Sequence, residues 1–341
     1  MSTPPTFDGV HRPEERRRRP SRRGWLPLVL TALAVLLVGA LFAGTLYAFT
    51  VDQQVNEKLR RGASLPSDSP TEPGAKPRPK PRAGNARDYV LIGADLAAGG
   101  ASRSDALMVL HLAGDRRSGY LISFPRDLWV RIPGHGQNKI NAAYAFGGSA
   151  LTIRTLEELL GVRMDHVAEV DFAGFIALTD EVGGVRVYNT HPSRSGGYAF
   201  PVGYITLNGE EALAYVRERK GLPRGDLDRA ERQRAVVTAI LAKGLSGDTV
   251  RNPRRFIAFT SGVAQHITVD AELTPAVLRR TALSLLRLAP EDIASVQAPV
   301  ARFGRSPGGQ SIDVVDKAKT AELAGALRDD TMSDYLERYP G

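Results

Sequence analysis

The sequence predicts an α/β domain in which helices cover both faces of a central sheet. Short β-rich runs open the region after residue 85, helical periodicity then alternates with further β-rich runs, and glycine or turn clusters punctuate them. The first four runs, Tyr89–Gly93, Ala106–Leu112, Gly119–Phe124 and Trp129–Ile132, read as strands of one sheet. Helical spacing follows in Ile140–Phe146 and Ala150–Leu160, where Leu151, Thr155, Leu156, Leu159 and Leu160 recur and Gly161 supplies a stop. A strand at His166–Val170 precedes a helix over Phe172–Val182 that ends at Gly183-Gly184, and Val185–Tyr188 is the next strand. A Pro, Gly and Ser loop over 190–203 leads to Asn208-Gly209, a helix over Glu210–Val216 and a long amphipathic helix over Leu227–Leu245. The last quarter predicts helices at Pro253–Ala264, Pro275–Leu288 and Asp316–Arg328, with a strand at Ile293–Ala298. No internal repeat is present.

With 341 residues and 43% hydrophobic content, the chain has material for one large domain with appendages. Its formal net charge is +8, but the excess is not in the domain. Residues 1–24 carry +4, residues 52–84 carry +3, and residues 85–341 are left with +1. That near-neutrality argues against nucleic acid as a partner, because non-specific affinity for it comes from a concentrated basic face. The absence of cysteine excludes disulfides, thiol catalysis and thiolate-held metal.

Residues 1–24 read as a cytoplasmic, arginine-rich tail. From Trp25 to Val51 no charged residue occurs, and as a helix this run is about 40 Å long at ~1.5 Å per residue, enough to cross a hydrocarbon core of ~30 Å. The arginines before it place the N-terminus inside and the domain outside the cell membrane, a single-pass arrangement with the lipid bilayer as a partner. A cleaved signal peptide, or a twin-arginine export signal at Ser21–Leu26, is the alternative. The apolar run is far longer than an ordinary signal core, and no clean cleavage site follows it. Residues 52–84, rich in Pro, Ser and charge, read as a semi-extended extracytoplasmic linker, and 85–341 as the domain.

Three groups of charged residues are candidates for chemistry. Asp95 follows one strand and Asp105 opens the next, with Arg103 between them, so the turn returns both carboxylates to one rim of the sheet. Two hard oxygen donors near an arginine suit a Mg²⁺ completed by substrate phosphates, although an Asp in a loop is more often a turn former. Arg126 and Asp127 sit where a β-rich run ends, a position from which side chains of α/β sheets reach ligands; a surface ion pair in a turn is the plain alternative. Arg217 and Arg219, two apart, form a fork if the chain there is extended. In Gly225–Arg229 a helix starts with Asp226 or Asp228 as its cap, which puts Arg229 in a first turn that favours anions. An arginine there calls for a compensating carboxylate or an anionic ligand; a solvated helix face would prefer acidic residues.

At these residues the chain resembles the LytR-CpsA-Psr family of cell-wall glycopolymer ligases. The matching segments are Ile92–Asp95, Arg103-Ser104-Asp105, Ser123–Asp127, Ile132–Gly136 running into Lys139–Tyr144, Asp180–Gly184, Leu207–Arg219 and Asp226–Gln233, in family order over a motif core of residues 88–245. The resemblance implies a three-layer α/β/α sandwich with a central mixed β-sheet and an apolar pocket for a polyprenyl chain. It implies a phosphotransferase that moves a glycopolymer from a polyprenyl-pyrophosphate carrier to peptidoglycan, dependent on Mg²⁺ or Mn²⁺ held by Asp95 and Asp105. Arg103, Arg126, Arg217, Arg219 and Arg229 then correspond to a pyrophosphate cage that Asp226 orients, and Asp95, Asp105 or Asp127 accepts the proton of the acceptor hydroxyl. The chain departs from the family pattern in Leu96-Ala97-Ala98 and in a short loop to Arg103. A polyprenyl-pyrophosphate hydrolase and a non-catalytic regulator that binds the lipid carrier are the competing readings.

Overall fold

The structure is a computed structural model that describes Gln53 and residues 57–69, 76–94, 104–244, 246, 261–262, 264–285 and 288–340. The arginine-rich tail, the apolar run 25–51, Asp95, Arg103 and most of the helix expected over Pro253–Ala264 lie outside these residues. Among the described residues no helix is long and apolar enough to cross a membrane.

A short strand β1 (Arg60–Arg61) is followed by β2 (Arg87–Ala94), β3 (Ser104–Leu112) and β4 (Gly119–Ser123). Then come β5 (Leu128–Ile132), β6 (Gly136–Lys139), α1 (Ala142–Leu160), β7 (His166–Val170) and α2 (Phe172–Glu181). The next stretch holds β8 (Val185–Asn189), β9 (Ser193–Ser195), β10 (Tyr198–Phe200), β11 (Gly203–Leu207), α3 (Gly209–Arg217) and α4 (Asp226–Gly244). The chain continues with β12 (Ile267–Val269), α5 (Pro275–Leu285), β13 (Ile293–Gln297), β14 (Val300–Arg305), β15 (Ser311–Val315), α6 (Lys317–Asp329) and α7 (Met332–Arg338).

The central sheet has seven strands in the order β1-β12-β7-β2-β3-β4-β13 and is mixed: β2 runs antiparallel to β3 and parallel to β7, and β13 runs parallel to β4. Its period-two pattern explains the layers. Leu107 and Val109 of β3 face one core with Val90 and Ile92, covered by Ile153, Leu156 and Leu160 of α1 and Leu323 and Leu327 of α6. Met108, Leu110 and Leu112 point the other way, into a second core with Tyr89 and Leu121, closed by Val277, Leu278 and Leu285 of α5. Helices therefore sit on both faces.

One departure from the sequence reading concerns strand partners. The run at 129–132, expected in the central sheet, belongs as β5 to a separate four-stranded sheet, β14-β15-β5-β6, while β8, for which the sequence predicts no partner, pairs with β11 in a two-stranded ribbon. The period-two pattern says which residues share a face but not which strand lies alongside. The break between the two helical segments expected around residues 147–149 is real: Gly147 and Gly148 leave helical geometry, and Gly148 takes φ 60°. Gly161, at φ 63°, ends α1 with its N–H on the Glu157 carbonyl.

The linker reading of 52–84 also needs correction. Arg60 and Arg61 pair with β12, Leu59 and Ala63 are buried, and the Arg78 side chain is enclosed against Glu157. Proline and charge make a segment poor at forming its own core, yet they do not stop it from lying along a preformed one.

Candidate active site

The site forms beside the start of β3, where the β4–β5 connection and the first turn of α4 meet it. Arg126, in that connection, donates from Nη1 to Asp105 Oδ1 at 2.8 Å, and its Nε lies 3.6 Å from Asp226 Oδ1. Asp226, the first residue of α4, is also 2.6 Å from Arg229 Nη2. Arg229 is buried, and desolvation depresses its pKa, with Asp226 and Asp105 opposing that shift. Burial conversely raises the Asp226 pKa, against the pull of Arg229, Arg126 and Arg219. Neither Asp226 oxygen has a hydrogen bond of good geometry, so its contacts are chiefly coulombic.

The sequence expected Asp226 or Asp228 to cap this helix. Instead Asp226 turns onto Arg229, and Asp228 reaches back to the Arg224 backbone N–H at 2.8 Å and to its guanidinium. The compensating carboxylate that an arginine in the first turn requires is thus Asp226 itself.

Arg217 closes α3, whose start is a capping box between Asn208 and Glu211. Gly209 also donates its N–H to Asp180 at 2.7 Å, and a β-carbon there would collide with the Ile176 carbonyl, so α3 sits tightly on α2. After Arg217 the chain becomes extended at Glu218, as a forked pair of arginines requires. The Arg217 guanidinium lies over the Phe172 ring at 4.5 Å. Gln233 Nε2 contacts both the Val216 carbonyl and the Asp105 carbonyl at 3.4 Å, which holds the end of α3 against the start of β3. Arg219 lies close enough to Asp226 and Arg229 to act electrostatically on both.

The four-stranded sheet brings in two residues that sequence reasoning missed as site residues. Strand β6 sets Lys139 opposite Trp129, and Lys139 Nζ lies 2.9 Å from Asp127 Oδ1. Strand β15 pairs Asp313 with Leu128, and the Asp313 N–H donates to the Asp127 carbonyl at 2.9 Å. Asp313 is buried, with Oδ2 lacking a hydrogen-bond partner, and desolvation together with Asp226 and Asp127 pushes its pKa up to about 6. Lys139 stands in a quoted motif, so an unpaired lysine after a polar run was the available signal. For Asp313 none existed, because its neighbours are remote in sequence.

The described cluster therefore contains Asp105, Arg126, Asp127, Lys139, Arg219, Asp226, Arg229 and Asp313, while the Arg217 guanidinium contacts the Phe172 ring. Asp95 and Arg103 are outside the described residues. Among the described residues no group of three acidic or histidine side chains could hold a metal. The donors present are nonetheless hard oxygens, and the chain leaves β2 at Ala94 and re-enters β3 at Ser104, its pairing partner. A Mg²⁺ held by one or two carboxylates and completed by phosphates fits that donor set.

The LytR_cpsA_psr family model matches residues 52–329. The chain belongs to that family. The LytR-CpsA-Psr match includes the stretch from residue 57 that packs on the domain. Among curated relatives, the polyisoprenyl-teichoic acid–peptidoglycan teichoic acid transferase TagU of Bacillus cereus is 37% identical over 226 residues, covering 64% of this chain and 70% of the relative. TagU of Bacillus subtilis is 34% identical over 236 residues, covering 67% and 72%. The crystal structure of B. subtilis TagV superposes with a TM-score of 0.63 at 27% identity, covering 73% of this chain and 98% of that one. A structure described as TagT bound to LI-WTA gives 0.60 at 26% identity, covering 79% and 100%.

Asp313 yields a pH prediction for this LytR-CpsA-Psr protein. Its folded pKa lies above the ordinary value of 3.8, so the folded state prefers the neutral acid, and ionisation opposes folding. The penalty sets in as pH rises past about 4 and is complete above about 6. The groups that face it are Asp226, Asp127, Lys139 and Arg229. Asp313→Asn is expected to stabilise the protein at pH 7.5 by about 3 kcal/mol and hardly at all at pH 4, read from denaturant midpoints at the two pH values. Equal effects at both would refute the assignment.

Proposed function

We propose that this protein transfers a glycopolymer from a polyprenyl-pyrophosphate carrier to a peptidoglycan hydroxyl, leaving the two polymers joined by a phosphodiester. The acceptor oxygen bonds to the phosphorus that carries the glycopolymer, the bond from that phosphorus to the bridging oxygen breaks, and polyprenyl phosphate departs. The single observation that carries this reading is the convergence of Arg126, Arg219 and Arg229 with Asp105 and Asp226 from four separate segments. Phosphoryl transfer asks for positioning and charge neutralisation more than for a covalent nucleophile, and a cage of guanidinium groups supplies both.

In this reading Arg126, Arg219 and Arg229, with Arg103 and Arg217, grip the diphosphate. Asp226 orients Arg126 and Arg229, and Lys139 holds Asp127. Asp105 and Asp95 would hold Mg²⁺, which when bound would supply further neutralisation of phosphate charge. The acceptor proton passes to a carboxylate, with Asp313, whose pKa is pushed up to about 6, joining Asp127, Asp105 and Asp95 as a candidate. The charge-free run 25–51, with arginines on its N-terminal side, anchors the protein in the cell membrane and leaves the domain outside. The names of the TagU relatives support both donor and acceptor.

The test uses full-length protein in detergent with a lipid-linked polymer and peptidoglycan. Glycan-linked product is expected in the presence of Mg²⁺, to fall at least tenfold with chelator, and to be nearly lost on the Arg217→Ala, Arg219→Ala double substitution. Release of polymer to water alone, with authentic acceptor present, would mean a hydrolase. Full wall-polymer attachment in cells carrying the double variant would mean a binding protein. Mass spectrometry of copurifying lipid checks the donor class independently, with a polyprenyl phosphate expected.

A further inference from the structure

We propose that a cavity on the far side of α4 from the arginine cage is a second anion subsite, which takes an acidic sugar residue of the glycan being transferred or received. The inference rests on the glycan chemistry proposed above. The cavity encloses about 520 Å³ and is lined by Arg224, Glu231, Arg234, Lys319, Tyr335 and Tyr339, over a floor of Val296 and Pro299.

The charges do not balance. Glu231 is already engaged with Arg224 at 2.5 Å, and Arg224 also pairs with Asp228. Among the described residues Arg234 forms no ion pair: its Nη1 donates to Ser123 Oγ at 2.5 Å, its Nε is buried without a hydrogen-bond partner, and Glu231 acts on it only through space. Desolvation lowers its pKa to about 10, so it stays charged at neutral pH. Lys319 is exposed, with Nζ over the Tyr339 ring at 5.1 Å and no ion pair to a described carboxylate. A half-enclosed guanidinium with a buried, unpaired Nε and only a shared carboxylate nearby is costly unless an anion arrives from outside.

The rest of the lining suits a sugar. Tyr339, partly exposed and with its ring centroid 5.1 Å from that of the buried Tyr335, offers an apolar face with a polar rim. The cavity is also separate from the cage. Arg229 and Arg234 are five residues apart on α4, which sets them about 140° apart around the helix and ~7.5 Å apart along it. Ser123, which holds Arg234, ends β4 three residues before Arg126 of the cage, so a chain with one residue in the cage has a neighbour within reach of the cavity. The shared chemistry is a pyranose bearing an oxyanion. Phosphate on the donor polymer and carboxylate on the acceptor glycan are its two sources.

Saturation-transfer NMR on the full-length protein, with N-acetylglucosamine 1-phosphate, N-acetylmuramic acid and neutral N-acetylglucosamine as probes, tests this. At least one acidic sugar is expected to bind ten times more tightly than the neutral one, and the better of the two assigns donor or acceptor. Arg234→Gln with Lys319→Gln should weaken that binding at least tenfold, while Arg229→Ala, which cripples the cage, should change it less than twofold. Should the double variant fail to fold, Lys319→Gln alone, at an exposed position, is expected to weaken binding at least threefold. Binding of neither acidic sugar, equal binding of the neutral sugar, indifference to the cavity variants, or loss in Arg229→Ala would each overturn the proposal. Acidic sugar bound by a protein that transfers no polymer would sink the transferase reading and leave the subsite standing.

Discussion

Arg229→Ala is expected to lower the rate of glycopolymer transfer roughly a thousandfold, the upper end for removing one preorganised charged donor from a buried site. Three features put the loss at that end. Arg229 is 5% exposed, so bulk water cannot stand in for it. It shares Asp226 with Arg126, so its removal leaves that carboxylate with one ion-pair contact, Arg126 at 3.6 Å, besides the longer-range pull of Arg219, and lets Arg126 reorient. It also lies in the first turn of α4, where free N–H groups reinforce its charge toward an anion. Arg229→Lys keeps the charge but loses the planar fork, and about a tenfold to hundredfold loss is expected. The check is a kinetic cycle with Asp226→Asn. Because Asp226 acts through the arginines, the double variant should be little worse than the worse single one; additive losses would mean that Asp226 works independently.

The second large effect concerns stability. Glu157→Ala is expected to destabilise the domain by about 3–5 kcal/mol, the range for stripping one partner from a buried ion pair. Arg78 Nε lies 3.1 and 3.0 Å from the two carboxylate oxygens, and Nη2 lies 2.7 Å from Oε1. Both side chains are almost wholly enclosed, and Glu157 also accepts the Met164 N–H at 3.1 Å. Removing the acid leaves a buried guanidinium with two carbonyls and one weak contact to the exposed Asp68 at 3.5 Å. In thermal melts the loss corresponds to roughly 10 °C. Replacing both members, Arg78→Met with Glu157→Leu, should recover much of it, because an apolar pair does not leave a buried charge unmatched. If Glu157→Ala melts within two degrees of the parent, the stretch around Arg78 is a spacer after all.

The two effects mark what sequence reading reached and what it did not. Helix limits were legible to within a residue or two at α1, α2, α3 and α4, because capping, glycine stops and the 3.6-residue period are local properties of the chain. Arg126, Asp226 and Arg229 were legible as candidates, since each sits at an element end in a pattern that a solvated surface would not favour. The second sheet was not. Trp129–Ile132 reads equally well in either sheet, and only the pairing of β5 with β6 and β15 carries Lys139 and Asp313 to Asp127. The arginines of α4 are likewise indistinguishable in a string of charges. Their azimuths send Arg229 to the cage, Arg232 to Asn189 and the His191 carbonyl, and Arg234 to Ser123.

An α/β domain with covered sheet faces, a near-neutral body, a long apolar run near the N-terminus, and arginines and aspartates at the ends of successive elements can all be read from residue order. Tertiary structure alone decided which of those charges meet, that Asp313 joins them from beyond residue 300, and that the proline-rich stretch around Arg78 is tied into the core. The physical reason is range: periodicity and capping are set within a few residues, whereas strand partnership, burial of a charge and the identity of its counter-ion are set by chain segments up to two hundred residues apart.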